Sequence, residues 1–77
     1  MTIKLFKSKG ERELGSIVES MKINLQNNYK EPAHNDRRRI KQRAEALYSE
    51  KKINEAVYKK YIRIYEEYTI KLKDYKH

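Results

Sequence analysis

The stretch that decides the fold is residues 54–75, which read NEAVYKKYIRIYEEYTIKLKDY. Large side chains recur there at alternating steps of three and four residues, namely Tyr58, Tyr61, Tyr65, Tyr68, Leu72 and Tyr75. This is the a/d spacing of a heptad, and it predicts a helix with one apolar stripe. Val57, Ile62 and Ile64 widen the stripe to nearly half the circumference, which predicts contact with two neighbours. Asn54 is a good N-cap for this helix.

Two further helices are predicted on the N-terminal side. Ser8 and Glu11 have the spacing of a capping box at the start of the first helix, which we expect at about residues 8–28. Asn27 and Asn28 form a plausible terminator, because asparagine tolerates the left-handed conformation. Its stripe is Leu14, Ile17, Val18, Met21, Leu25 and Tyr29. Pro32 suits the first turn of the second helix, expected at about residues 32–50. Its narrower stripe is Ile40, Ala44, Leu47 and Tyr48.

These patterns predict an all-α protein, built as a three-helix bundle or as an extended helical hairpin with an added N-terminal helix. We expect a single domain over residues 1–77, with a short extended arm at residues 1–7. The link at residues 51–53 is so short that the second and third helices should be antiparallel neighbours. A chain of 77 residues with 38% hydrophobic content is close to the lower limit for a self-sufficient core.

Incomplete burial of the third helix favours self-association. We therefore predict a homodimer in which the third helix contacts a second chain. The residues expected at this interface are Val57, Tyr61, Ile64, Tyr65 and Tyr68.

The composition argues against catalysis and cofactor chemistry. The chain has no cysteine, and its two glycines are isolated, so neither a thiolate site nor a phosphate-binding loop is expected. His34 and His77 are the two histidines, and both are expected to be exposed without a ligand set around them. We predict no enzyme activity, no cofactor, no metal and no small-molecule substrate. The absence of a signal peptide or apolar span predicts a cytoplasmic protein that does not bind membranes.

The most unusual feature is a run of five cations within seven residues: Arg37, Arg38, Arg39, Lys41 and Arg43. Like charges close together near a helix N-terminus are unfavourable, both with each other and with the helix dipole. Two interpretations stay open. The cluster is a solvated face or pairs with the acid-leaning first helix, which carries Glu11, Glu13 and Glu19. Alternatively, it binds an acidic protein or the phosphates of a nucleic acid.

The tyrosines of the third helix have two interpretations as well. Tyrosines interleaved with Lys59, Lys60 and Arg63 could stack nucleic-acid bases. On the helical wheel, however, these cations lie opposite the tyrosines, so burial is the favoured interpretation. A helix-turn-helix is disfavoured because the link has no glycine and the third helix is long.

The sequence therefore predicts a small basic interaction protein, with no enzymatic activity, that binds an acidic protein partner and self-associates. The alternative is a nucleic-acid-binding accessory protein that uses the cations of residues 37–43 on phosphates.

Overall fold

A computed structural model describes residues 8–73 of the chain. It contains three helices, α1 (Lys9–Gln26), α2 (Lys30–Ser49) and α3 (Glu55–Lys73), and no strand within the described range. The all-α prediction is confirmed. Both ends of α1 and of α2, and the start of α3, differ from the expected boundaries by one or two residues. The predicted arm at residues 1–7 and the last stripe position, Tyr75, lie outside the described residues.

Both predicted N-caps are confirmed. The Ser8 side chain accepts a hydrogen bond from the Glu11 backbone N–H at 3.1 Å, and Asn54 Oδ1 accepts one from the Val57 N–H at 2.9 Å. Such caps satisfy backbone donors that the first helical turn leaves without a partner. The Glu11 carboxylate does not complete the capping box, because it lies 3.8 Å from Lys60 Nζ on α3.

The first two helices end in the same way. Asn28 and Lys51 follow the C-caps of α1 and α2, and each has a φ of 61°. In both turns the next residue donates a hydrogen bond of 2.8 Å to the carbonyl five residues back, which is the Schellman pattern. Asparagine is a usual residue at such a position, as predicted for Asn28, whereas lysine gives no such signal in the sequence.

The helix α2 lies between α1 and α3. It packs extensively on both, whereas α1 and α3 touch each other slightly. The buried core draws on all three helices and the second link, and consists of Leu14, Ile17, Val18, Met21, Ala33, Ile40, Ala44, Leu47, Ile53 and Tyr61. Most of the predicted stripe residues of α1 and α2 are therefore buried or partly buried. The exceptions are Tyr29, which is 57% exposed, and Tyr48, which is 41% exposed.

The wide stripe of α3 is covered less completely. Among the described residues of this helix, Tyr61 and Leu72 are buried. The other stripe residues of α3 are partly buried against the core, namely Val57, Tyr58, Ile62, Ile64, Tyr65 and Tyr68. Since α1 covers little of α3, part of the α3 stripe stays accessible within a single chain.

Candidate anion-binding surface on the second helix

The cluster of five cations on α2 divides into two groups, and the first faces α1. The Arg43 guanidinium donates two hydrogen bonds to the Glu13 carboxylate, one from its Nε and one of 3.1 Å from its second terminal nitrogen. These bonds lower the pKa of Glu13 and raise the pKa of Arg43. The predicted pairing of the cluster with the first helix is thus present at Arg43.

Arg39 belongs to the same group. Its guanidinium lies 3.2 Å from a carboxylate oxygen of Asp36, which is 6% exposed. The other oxygen of Asp36 accepts hydrogen bonds across the α1–α2 interface, from Ser20 Oγ at 2.6 Å and from Asn24 Nδ2 at 3.0 Å. A buried carboxylate requires such partners, and here they fasten α1 to α2.

The second group consists of Arg37, Arg38 and Lys41, which we call the uncompensated cations. Within residues 8–73, none of them forms an ion pair with a carboxylate. Their contacts are with neutral groups. Arg37 donates to Thr69 Oγ1 at 2.8 Å and Arg38 donates to Asn35 Oδ1 at 2.6 Å.

The remaining contacts of this group are with the ring of Tyr65 on α3. The guanidinium carbon of Arg37 lies 5.3 Å from the ring centroid, and Lys41 Nζ lies 5.6 Å from it. The Nε of Arg37 is buried and has no hydrogen-bond acceptor within the described part of the chain. An aromatic ring, a hydroxyl group and an amide oxygen hold these cations in place but do not cancel their charge.

His34, one turn before the uncompensated cations, responds to their charge. Burial lowers the pKa of His34, and the positive charges of Arg37 and Arg38 lower it further, with a smaller effect from Lys30. Glu31 acts in the opposite direction. His34 is partly buried and not exposed as predicted. Burial is therefore the main cause of the lowered pKa of His34, and the neighbouring cations add to it.

One of the three cations expected to lie opposite the tyrosines, Lys60, instead contacts a tyrosine ring. Lys60 Nζ lies 5.2 Å from the centroid of the Tyr61 ring, and Lys71 Nζ lies 5.1 Å from that of Tyr68. A lysine stem is long enough to reach from the flank of a helix over a neighbouring ring. The wheel of one helix also could not include the cations that α2 brings to Tyr65.

An aromatic pair lies on the side of α2 that carries Arg37 and Lys41. The rings of Tyr48 and Tyr58 stack with their centroids 4.5 Å apart and their planes inclined by 13°. The sequence suggested neither this pair nor the role of Asp36. An open groove of about 520 Å³ adjoins the pair, and Tyr48, Ile53 and Val57 contribute to its lining.

The five residues predicted for self-association differ in their exposure and in the direction that they face on α3. Tyr61 is 3% exposed, so little of it could reach a second chain. Tyr65 lies beneath the α2 cations. On a wheel of about 100° per residue, Val57, Ile64 and Tyr68 fall within about 40° of one another, and their mean direction is about 80° from that of Tyr65. These three partly buried residues form what we call the α3 edge.

Comparisons with known proteins give no family for the chain: no family model, no curated protein and no solved structure matches it. Across residues 8–73, no group of three or more histidine, aspartate or glutamate side chains could hold a metal ion. No helix in this range is long and apolar enough to cross a membrane.

Proposed function

We propose that the protein is a non-enzymatic interaction module that binds an acidic protein partner through α2 and self-associates through α3. The observation that carries the first part is the division of the cation cluster. Arg39 and Arg43 have carboxylate partners within the chain, whereas Arg37, Arg38 and Lys41 have neutral ones.

Three cations within five residues of one helix repel one another. Carboxylates of a partner would relieve this repulsion, and complementary charge would also speed the encounter between the two proteins. Pairing within the chain removes Arg39 and Arg43 from the proposed surface, since each already holds a carboxylate. The surface is therefore narrower than the sequence suggested.

A charge-reversal experiment tests this part. We expect the double variant R38E/K41E to lose binding to a fluorescein-labelled polyglutamate peptide, measured by fluorescence anisotropy at low ionic strength. The matched control is R12E/K22E, which makes the same change in net charge at two exposed positions of α1. Equal losses in the two variants would contradict the proposal, because binding would then depend on net charge and not on α2.

The second part rests on the incomplete cover of α3. Its edge residues, Val57, Ile64 and Tyr68, are partly buried against the core, and α1 and α3 pack only slightly on each other. A second copy of the chain would remove this apolar surface from water at each of two symmetric positions. We expect sedimentation equilibrium at micromolar concentration to give about twice the monomer mass of 9.4 kDa.

Substitutions locate the self-association surface. I64D should shift the molecule to the monomer, because it would bury a charge in the interface. I70D is the control, since Ile70 is 69% exposed and lies on the opposite side of α3. A wild-type chain that sediments as a monomer, or a dimer that I64D leaves intact, would refute this part of the proposal.

One observation favours the alternative, a nucleic-acid-binding accessory protein. Arg37 and Lys41 lie over an aromatic ring, so cations and tyrosines share a surface as they do in single-strand binders. Binding through several phosphates falls log-linearly with salt concentration. A steep salt dependence with single-stranded DNA, together with weak binding of polyglutamate, would favour this alternative.

A further inference from the structure

The contacts between α2 and α3 follow one continuous seam. Arg37, Lys41 and Tyr48 project from α2 within about 40° of one another on a wheel of 100° per residue. Their partners on α3 are, in the same order, Thr69, Tyr65 and Tyr58. Along the seam, the residue numbers on α3 fall by as much as the residue numbers on α2 rise. This relation is expected for two antiparallel helices in register.

The two ends of this seam differ in chemistry. One end carries the uncompensated cations. The other carries the Tyr48–Tyr58 pair, in which Tyr48 is 41% exposed, and next to it opens the groove lined in part by Ile53 and Val57. Lys41 and Tyr48 are seven residues apart, so the two ends are separated by about 10 Å along α2.

An exposed carboxylate borders the seam between its ends, because Glu45 lies on α2 between Lys41 and Tyr48. A nucleic acid, which carries a charge at every nucleotide, would be repelled where it passed this group. A peptide can place its carboxylates at the cationic end and keep the rest of its length neutral.

We propose that this seam docks an acidic segment of a partner protein in a fixed orientation. Carboxylates of the segment contact Arg37, Arg38 and Lys41, and an aromatic side chain about 10 Å away packs on the Tyr48–Tyr58 pair and into the adjoining groove. In an extended peptide, which rises about 3.3 Å per residue, this distance separates positions three residues apart. The inference rests on the proposed acidic partner and adds the aromatic anchor and its spacing.

The test uses two synthetic peptides that differ at one position. The first has three consecutive glutamates with a tryptophan three residues after the last, and the second has serine in place of tryptophan. Both are labelled and titrated with the full-length protein, and the anisotropy gives the Kd. We expect the tryptophan peptide to bind about tenfold more tightly to the wild type, because a buried aromatic anchor is a typical hot spot.

Protein variants then locate the anchor. In Y48A the tryptophan peptide should lose its advantage over the serine peptide, as in a double-mutant cycle for a direct contact. Y48F keeps the ring and should retain the advantage, and circular dichroism reports whether both variants remain helical. An advantage that persists in folded Y48A would refute the anchor while leaving the proposed acidic partner in place.

Two further outcomes would overturn the inference. If R38E/K41E binds the tryptophan peptide as tightly as the wild type does, the carboxylates do not bind at the cationic end, and the proposed function fails as well. If a single-stranded DNA oligomer binds more tightly than the tryptophan peptide and displaces it, the seam belongs to a nucleic acid. Loss of binding in R38E/K41E with retention in R12E/K22E is the result that the inference requires.

Discussion

The same substitution at two glycines of α1 should have opposite effects on stability. A Cβ at Gly15 would lie 3.6 Å from the hydroxyl of Tyr61, which is an ordinary van der Waals contact. A Cβ at Gly10 would lie 2.9 Å from Ile53 Cγ2 and 3.3 Å from Leu47 Cδ2. Both neighbours are buried, and the methyl group of Ile53 is fixed close to its backbone, so it has little freedom to move aside.

The magnitudes follow from these contacts. G15A should raise the free energy of unfolding by about 1 kcal/mol, because alanine is favoured over glycine inside a helix. G10A gains less from helix propensity so close to the helix start and adds a methyl group to a packed site, which costs about 1–3 kcal/mol. For a domain of this size, 1 kcal/mol corresponds to a change in Tm of about 4–8 °C.

Thermal unfolding followed by circular dichroism measures both effects. The two variants control for each other, because each substitution changes the entropy of the unfolded chain in the same way. We expect G15A to melt several degrees above the wild type and G10A several degrees below it. If G10A melts as high as G15A does, the start of α1 does not pack against the second link, and the arrangement described for this end of the fold is wrong.

Two further predictions concern the polar contacts between α1 and α2. D36A should lower the free energy of unfolding in urea by about 2 kcal/mol, because donors of Ser20 and Asn24 lose a buried acceptor; an unchanged midpoint would argue against this network. Because the pKa of Glu13 is lowered in the folded protein, its pairing with Arg43 stabilises the fold above the ordinary pKa of 4.5 and ceases to do so as the pH falls through the lowered value. E13Q should therefore lose less stability than the wild type between pH 7 and pH 3, and parallel losses would contradict the pairing.

The elements of the fold that depend on local sequence could be predicted. The caps at Ser8 and Asn54, and the turn at Asn28, are set by residues within a few positions of each other. Burial of the stripe residues of α1 and α2 could likewise be predicted, because helical periodicity brings these residues to one face. Tyr48 departs from the pattern because it lies at the border of its stripe, where it meets another ring and stays partly exposed.

The sequence narrowed the possible ion pairs between helices to a few acids, but it could not assign the pairs. The sequence pointed to Glu11, Glu13 and Glu19 as the acids available to the α2 cations. Glu13 pairs with Arg43, whereas Glu11 lies near Lys60 and Glu19 is exposed. Which acid meets which cation depends on the rotation and relative shift of two packed helices. A wheel drawn for one helix contains neither quantity, so the choice among the three acids required the structure.

The direction of the Asp36 side chain explains why some cations of the α2 cluster have carboxylate partners and others do not. Asp36 is four residues before Ile40, so it lies in line with the apolar stripe of α2 and points into the interface with α1. Its neighbours in sequence, Arg37 and Arg38, are turned from it by about 100° and 200° around the helix. The nearest acid in the sequence is therefore held by Ser20 and Asn24 and is directed away from these two cations. A buried carboxylate that fastens α1 to α2 thus leaves a positive surface on the other side of the same helix, which is the surface that we propose for the acidic partner.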